Sequence, residues 1–86
     1  MQTTADFLDA VKAKLGVPSD YALAPAIGTT RSMVSRYRNG KDYLSDEMAV
    51  KFSEILHLPA DYIIACSHAE RAKTEGVKEV WQGLAK

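Results

Sequence analysis

Leu23-Ala24-Pro25-Ala26-Ile27-Gly28-Thr29-Thr30-Arg31-Ser32-Met33-Val34-Ser35-Arg36-Tyr37-Arg38-Asn39-Gly40-Lys41 holds two short helical patterns parted by Gly28 and a threonine pair. The Thr30 hydroxyl can accept from the free amides that open a helix. Asn39-Gly40 has the residues best suited to a left-handed turn at its end. Arg31 to Arg38 is therefore predicted to be a helix of its own. With Arg31 at zero, Met33, Val34 and Tyr37 fall at about 200°, 300° and 240° on a helical wheel. Arg31, Ser35, Ser32 and Arg36 fall at about 0°, 40°, 100° and 140°. One face is apolar and suits a core. The face nearly opposite offers two guanidiniums and two hydroxyls, with no acid and no bulky apolar group.

That outward face has the chemistry of a major-groove reader. The groove admits one helix, and its base edges present acceptors and donors. An arginine fork can take both acceptors of guanine, a contact worth roughly 1–3 kcal/mol of discrimination. Serines are small enough to let the helix approach closely. Arg31, Ser32, Ser35 and Arg36 are accordingly the expected base-reading residues. Thr30, Arg38, Asn39, Lys41 and Tyr43 surround them and can reach phosphates, contacts that set register without reading sequence.

Working outward, the chain reads as helices with short connections, and no strand-period alternation persists. A first helix starts after Thr3 or Thr4, turns Phe7, Leu8, Val11 and Leu15 to the core, and ends at Gly16. The second starts at Ser19, with Asp20 in its first turn, and presents Leu23 and Ile27 before Gly28. Pro25 lies past the turn where proline is tolerated, so this helix should be short or kinked. Ser45 caps a fourth helix with Met48, Ala49, Phe52, Ile55 and Leu56 as its buried stripe. Pro59 suits the first position of a fifth, from which Tyr62, Ile63 and Cys66 pack inward. A last helix, Glu75 to Ala85, carries Val77, Val80, Trp81 and Leu84. The expected fold is all-α, a five-helix unit with an added C-terminal helix.

Eighty-six residues, 47% of them hydrophobic, make one small core that a partner chain would help to stabilise. The single cysteine excludes an internal disulfide and fits a reducing cytoplasm. No apolar run nears the roughly 20 residues of a membrane span, and the opening residues lack a basic segment leading into an apolar one, so neither a membrane span nor a secretion signal is expected. Net charge is zero, but it is uneven. Residues 1–44 carry six Lys/Arg against four Asp/Glu, and residues 45–86 five against seven. Arg31, Arg36, Arg38 and Lys41 share one stretch with no acid before Asp42. A local basic face matters more to a phosphate backbone than the whole-chain sum, although charge alone would fit a solvated helix face equally well.

The Leu23–Lys41 segment resembles the lambda-repressor-like (Cro/XRE-type) helix-turn-helix: Leu-Ala, a glycine turn, a threonine cap, polar reading residues, Val, Ser-Arg, an aromatic, Asn-Gly and Lys. The likeness extends over about residues 5–65. It implies a DNA-binding regulator in which Arg31 and Ser32, just after the cap, reach bases, as do Ser35 and Arg36. In that family the polar residue opening the second helix often touches phosphate. Here Asp20 would repel it, leaving Ser19 or Tyr21 for that role. Pro25 is a second departure. Over its whole length, including Ser67-His68-Ala69-Glu70-Arg71-Ala72-Lys73 and Val80-Trp81, the chain is similar to immunity repressors of Pf-type filamentous prophages. That likeness implies a dimer that silences prophage genes.

Other readings are weaker. Tyr37 and Trp81 could stack on bases, but Tyr37 lies in the apolar sector. Cys66, His57 and His68 lack the paired ligand spacing of a zinc site, so no metal and no cofactor is expected. Asp46 and Glu47 serve a helix dipole more simply than they serve acid–base catalysis, and no nucleophile elbow is present; the chain should not be an enzyme. Val77, Val80, Trp81 and Leu84 form one narrow stripe. It could fold back on the core or pack against the same helix of a second chain. The second is preferred, because the five preceding helices already make a complete unit. Residues 1–72 would then be the DNA-binding unit and 73–86 the dimerisation helix of the same globule. A two-fold dimer would set its reading helices roughly 34 Å apart on a near-palindromic operator. The expected partners are duplex DNA, a second copy of the chain and an antagonist protein, in a cytoplasmic setting. Two rival readings remain: an antitoxin-type DNA-binding protein whose main partner is a toxin, and an architectural or non-specific DNA binder.

Overall fold

The computed structural model describes residues 2–85, so Met1 and Lys86, the outer ends of the units expected at 1–72 and 73–86, lie outside the described residues. Six helices follow one another: α1 (Thr4–Leu15), α2 (Asp20–Ala26), α3 (Arg31–Arg38), α4 (Asp46–Leu56), α5 (Ala60–Arg71) and α6 (Glu75–Leu84). The described residues contain no strand. The caps are those the side chains dictate. Thr3 closes a reciprocal box with Asp6: its hydroxyl accepts the Asp6 amide at 3.2 Å, and Asp6 Oδ2 accepts the Thr3 amide at 2.9 Å. The Thr3 amide, with the Thr3 hydroxyl beside it, holds the Asp6 carboxyl below the usual carboxylate range. Ser19, Thr30, Ser45 and Thr74 each accept an amide from their own first turn.

Phe7, Leu8, Val11, Leu23, Ile27, Val34, Leu44, Phe52 and Ile63 form the centre of the core, all essentially inaccessible. Phe7 meets the half-buried Tyr62 edge-on, ring centres 6.2 Å apart. Leu15 departs from the pattern. It is 40% exposed, because the helical period continues into the last turn of α1 while the surface it packs on does not. Pro59 stands one residue earlier than expected, at the N-cap of α5, with φ −61°.

Pro25 falls in the last turn of a helix only seven residues long. Its nitrogen carries no hydrogen for the Tyr21 carbonyl, and α2 stops one residue later. The chain then reverses: the Thr29 amide bonds the Ala24 carbonyl at 2.9 Å and Gly28 takes φ +72°. Lys51 Nζ reaches across from α4 to the Ile27 carbonyl at 3.0 Å. The positive backbone angle selects glycine at residue 28, while a Cβ would ask only that the mobile Lys51 ammonium, 3.0 Å away, give way. This turn is what aims α3 outward.

The final helix is docked but shallow. None of the residues within α6 is fully buried. Trp81 is half-buried and stacks on His68 of α5, centroids 4.4 Å apart and planes 23° from parallel. Val77, Val80 and Leu84, expected on the same stripe as Trp81, are 50%, 62% and 65% exposed. The stripe is therefore divided: one flank lies on the chain's own α5 and the rest faces solvent.

Candidate nucleic-acid interface

α3 owes its orientation to Val34 and Tyr37, 1% and 5% exposed, with Met33 packed against the same core. Tyr37 is thus a core residue, and burial pushes its phenol above the ordinary value, with Asp42 adding to the rise. Rooting that side leaves Arg31, Ser32, Ser35 and Arg36 on one exposed face. A cleft of about 270 Å³ separates α2 from α3, lined by Tyr21, Arg31, Val34, Ser35, Asn39 and the Asp20–Arg38 pair.

The two arginines of this face are held. The Arg31 guanidinium lies 4.2 Å from the centre of the Tyr21 ring, a cation–π arrangement across the cleft. Arg36 turns toward the loop that follows α3. Its Nη2 donates to the Lys41 carbonyl at 3.2 Å and its Nε faces Asp42 Oδ2 at 3.5 Å. Asn39 donates to the Ser35 carbonyl at 2.9 Å and lies 3.3 Å from its hydroxyl, closing the end of the helix. The Ser19 and Thr30 hydroxyls accept capping amides, which leaves each its own O–H to donate. Tyr21 and Lys41 are exposed, and Tyr43 is half-buried beside them.

Arg38, expected to reach phosphate, is paired within the protein. Its Nε and Nη2 grip the two oxygens of Asp20 at 3.0 and 2.9 Å, and its Nη1 reaches Asp9 at 2.8 Å. Lys12 adds a second cation to Asp20 at 3.3 Å. All three guanidinium nitrogens are engaged within the protein, so Arg38 ties α1, α2 and α3 together. The Arg38 hydrogen bonds hold the Asp20 carboxyl below the usual range, and Asp20 in turn raises Arg38. Asp20 is then a neutralised charge, not a bare anion facing the backbone. This bridge is not legible in the sequence. Asp9, Lys12 and Asp20 stand 29, 26 and 18 residues from Arg38, and only the folded chain brings them together. Asp42 carried a signal, as the first acid after the basic stretch, but its partner depends on the turn at Asn39-Gly40.

Two further titratable groups lie away from α3. Cys66 is buried, and burial pushes its thiol up. His68 lies between Trp81 and Asp46, its Nε2 3.2 Å from Asp46 Oδ1. No three His, Cys, Asp or Glu residues among those described are grouped to hold a metal. Among the described residues, no helix is long and apolar enough to cross a membrane.

The helix-turn-helix family profile matches residues 14–63, more than half of the chain and the span from the end of α1 into α5. No curated protein and no solved structure matches it. The chain therefore belongs to the Cro/XRE-type helix-turn-helix family of DNA-binding, non-enzymatic transcriptional regulators.

Proposed function

We propose that this regulator is a sequence-specific repressor of phage or prophage type that binds a near-palindromic operator as a homodimer. The observation that carries sequence-specific reading is the double-sided α3. Val34 and Tyr37 are sealed in the core, while Arg31, Ser32, Ser35 and Arg36 lie exposed on the other side. In this reading those four residues contact base edges in the major groove. Ser19, Tyr21, Thr30, Asn39, Lys41 and Tyr43 contact the backbone. Arg38 is left out of that set because Asp9 and Asp20 already occupy it.

Dimerisation is assigned to α6. Val77, Val80 and Leu84 are an apolar strip on a docked helix, the arrangement expected where a second copy supplies the missing cover. The phage or prophage character, and repression as the outcome, rest on the resemblance to filamentous-prophage immunity repressors. Control would come from protein concentration, from the dimer–monomer equilibrium or from a separate antagonist protein. A footprint on the DNA flanking the protein's own gene tests the whole reading. Paired protected half-sites about one helical turn apart are expected; uniform protection, or none, would reject it.

A further inference from the structure

Arg36 is anchored from behind by a residue that has no place in the reading face itself. Asp42 sits in the loop after α3, less exposed than Arg36 (40% against 52% for the side chains). Its carboxylate is fixed at one end, since Oδ1 accepts the Tyr43 amide at 2.9 Å. The other oxygen faces Arg36 Nε at 3.5 Å. Beside it the Lys41 carbonyl accepts Nη2 at 3.2 Å, and the Lys41 amide donates back to the Arg36 carbonyl at 2.9 Å. Loop and helix end are thus tied in both directions.

Nε and Nη2 form one edge of the guanidinium plane. With that edge turned to residues 41 and 42, the edge formed by Nη1 and the second Nη2 hydrogen is the one left for a ligand. Guanine offers two adjacent acceptors, so a fork held in plane by its rear edge suits it better than one rotating freely. A carboxylate beside a DNA-binding face has an opposite effect as well: it repels phosphates whatever the base sequence.

We infer that Asp42 is a specificity-determining residue: its carboxylate faces Arg36 Nε while the Lys41 carbonyl accepts from Nη2, so that the Nη1–Nη2 edge meets guanine and Asp42 itself does not touch DNA. The inference rests on the proposal that Arg36 reads a base. Asp42 then trades some affinity for all DNA against discrimination at one base pair of each half-site. The contrary arrangement is a latch, in which Asp42 sequesters Arg36 until DNA displaces it.

The test uses the full chain and a random-sequence duplex library to select a consensus duplex with the wild type. Binding to that duplex, to single-base-pair variants of it and to a random duplex is then measured by fluorescence anisotropy. The proteins compared are wild type, Asp42→Asn, Arg36→Ala and the double variant. Asparagine keeps an acceptor for the Tyr43 amide while removing the charge, so the loop is retained. For Asp42→Asn, random-duplex binding should be unchanged or tighter, while preference at one base pair per half-site falls about five- to tenfold. In the Arg36→Ala background the same change should leave preference where it was. Asp42→Asn with full preference would overturn the inference, and full or increased preference together with tighter consensus binding would point to the latch instead. Equal losses with and without Arg36 would overturn it too. An Arg36→Ala protein that keeps full preference would remove the base-reading role of Arg36, and this inference with it. A clear Arg36 effect beside a null Asp42 effect removes the inference alone.

Discussion

At the scale of single residues, the face of α3 sorts arginines by what holds them. Arg31 rests on Tyr21, Arg36 leans on the 41–42 loop, and Arg38 is enclosed by two carboxylates. Only the first two keep hydrogen-bond donors free for a base. Replacing Arg36 with Ala should cost about 1–3 kcal/mol of operator binding and relax preference at one base pair per half-site. A selection on randomised duplexes checks this, and a loss equal on all sequences would make Arg36 a phosphate contact. Lys41 is exposed and has no ion-pair partner among the described residues. Lys41→Ala should weaken all duplexes alike and lower the slope of log K against log salt by about one; an unaltered slope would mean that Lys41 does not meet phosphate.

At the scale of helices, Arg38 is the tie among α1, α2 and α3. Its side chain is 29% exposed, so the bridge is only partly screened. Arg38→Ala should destabilise the fold by about 1–2 kcal/mol in urea unfolding, more than an isolated surface ion pair contributes. It should weaken DNA binding only through that loss. If binding to random duplex falls with stability unchanged, Arg38 does contact phosphate. The same bridge sets an acid limit. Because the folded Asp20 carboxyl is held below its ordinary value, its stabilisation is complete above about pH 4. It disappears as pH falls through the lowered value. Asp20→Asn should therefore be less stable than wild type near neutrality, and the gap should close under acid. A gap independent of pH in acid titrations of stability would mean that the charge on Asp20 is not what matters.

At the scale of the molecule, the question is what covers α6. Val77, Val80 and Leu84 stay open although Trp81 is stacked on His68. Two kinds of variant separate docking from pairing. Val80→Glu with Leu84→Glu leaves the Trp81–His68 stack in place and should give monomers in sedimentation, with native helix content and poor operator binding. Trp81→Ala removes the stack, should release α6 from α5, and should lose the dimer as a consequence. Dimers that survive the double glutamate change would place the pairing surface elsewhere.

Much of this was legible in the residues. The caps at Thr3, Ser19, Thr30 and Ser45, the apolar side of α3 and the turn at Gly28 all follow from chemistry acting over three or four positions, which is the range a sequence displays directly. So do the helical class of the fold and the exposure of Arg31, Ser32, Ser35 and Arg36. Leu15, Arg38 and the divided stripe of α6 could not be read that way. Periodicity says that a side chain has an apolar face or a charge, but not which distant surface meets it. Arg38 is tied between helices because Asp9 and Asp20 came within 3 Å from other elements. Val80 was left open because α6 came to rest on its Trp81 flank. Those are outcomes of packing between elements far apart in the chain, and only the folded arrangement contains them.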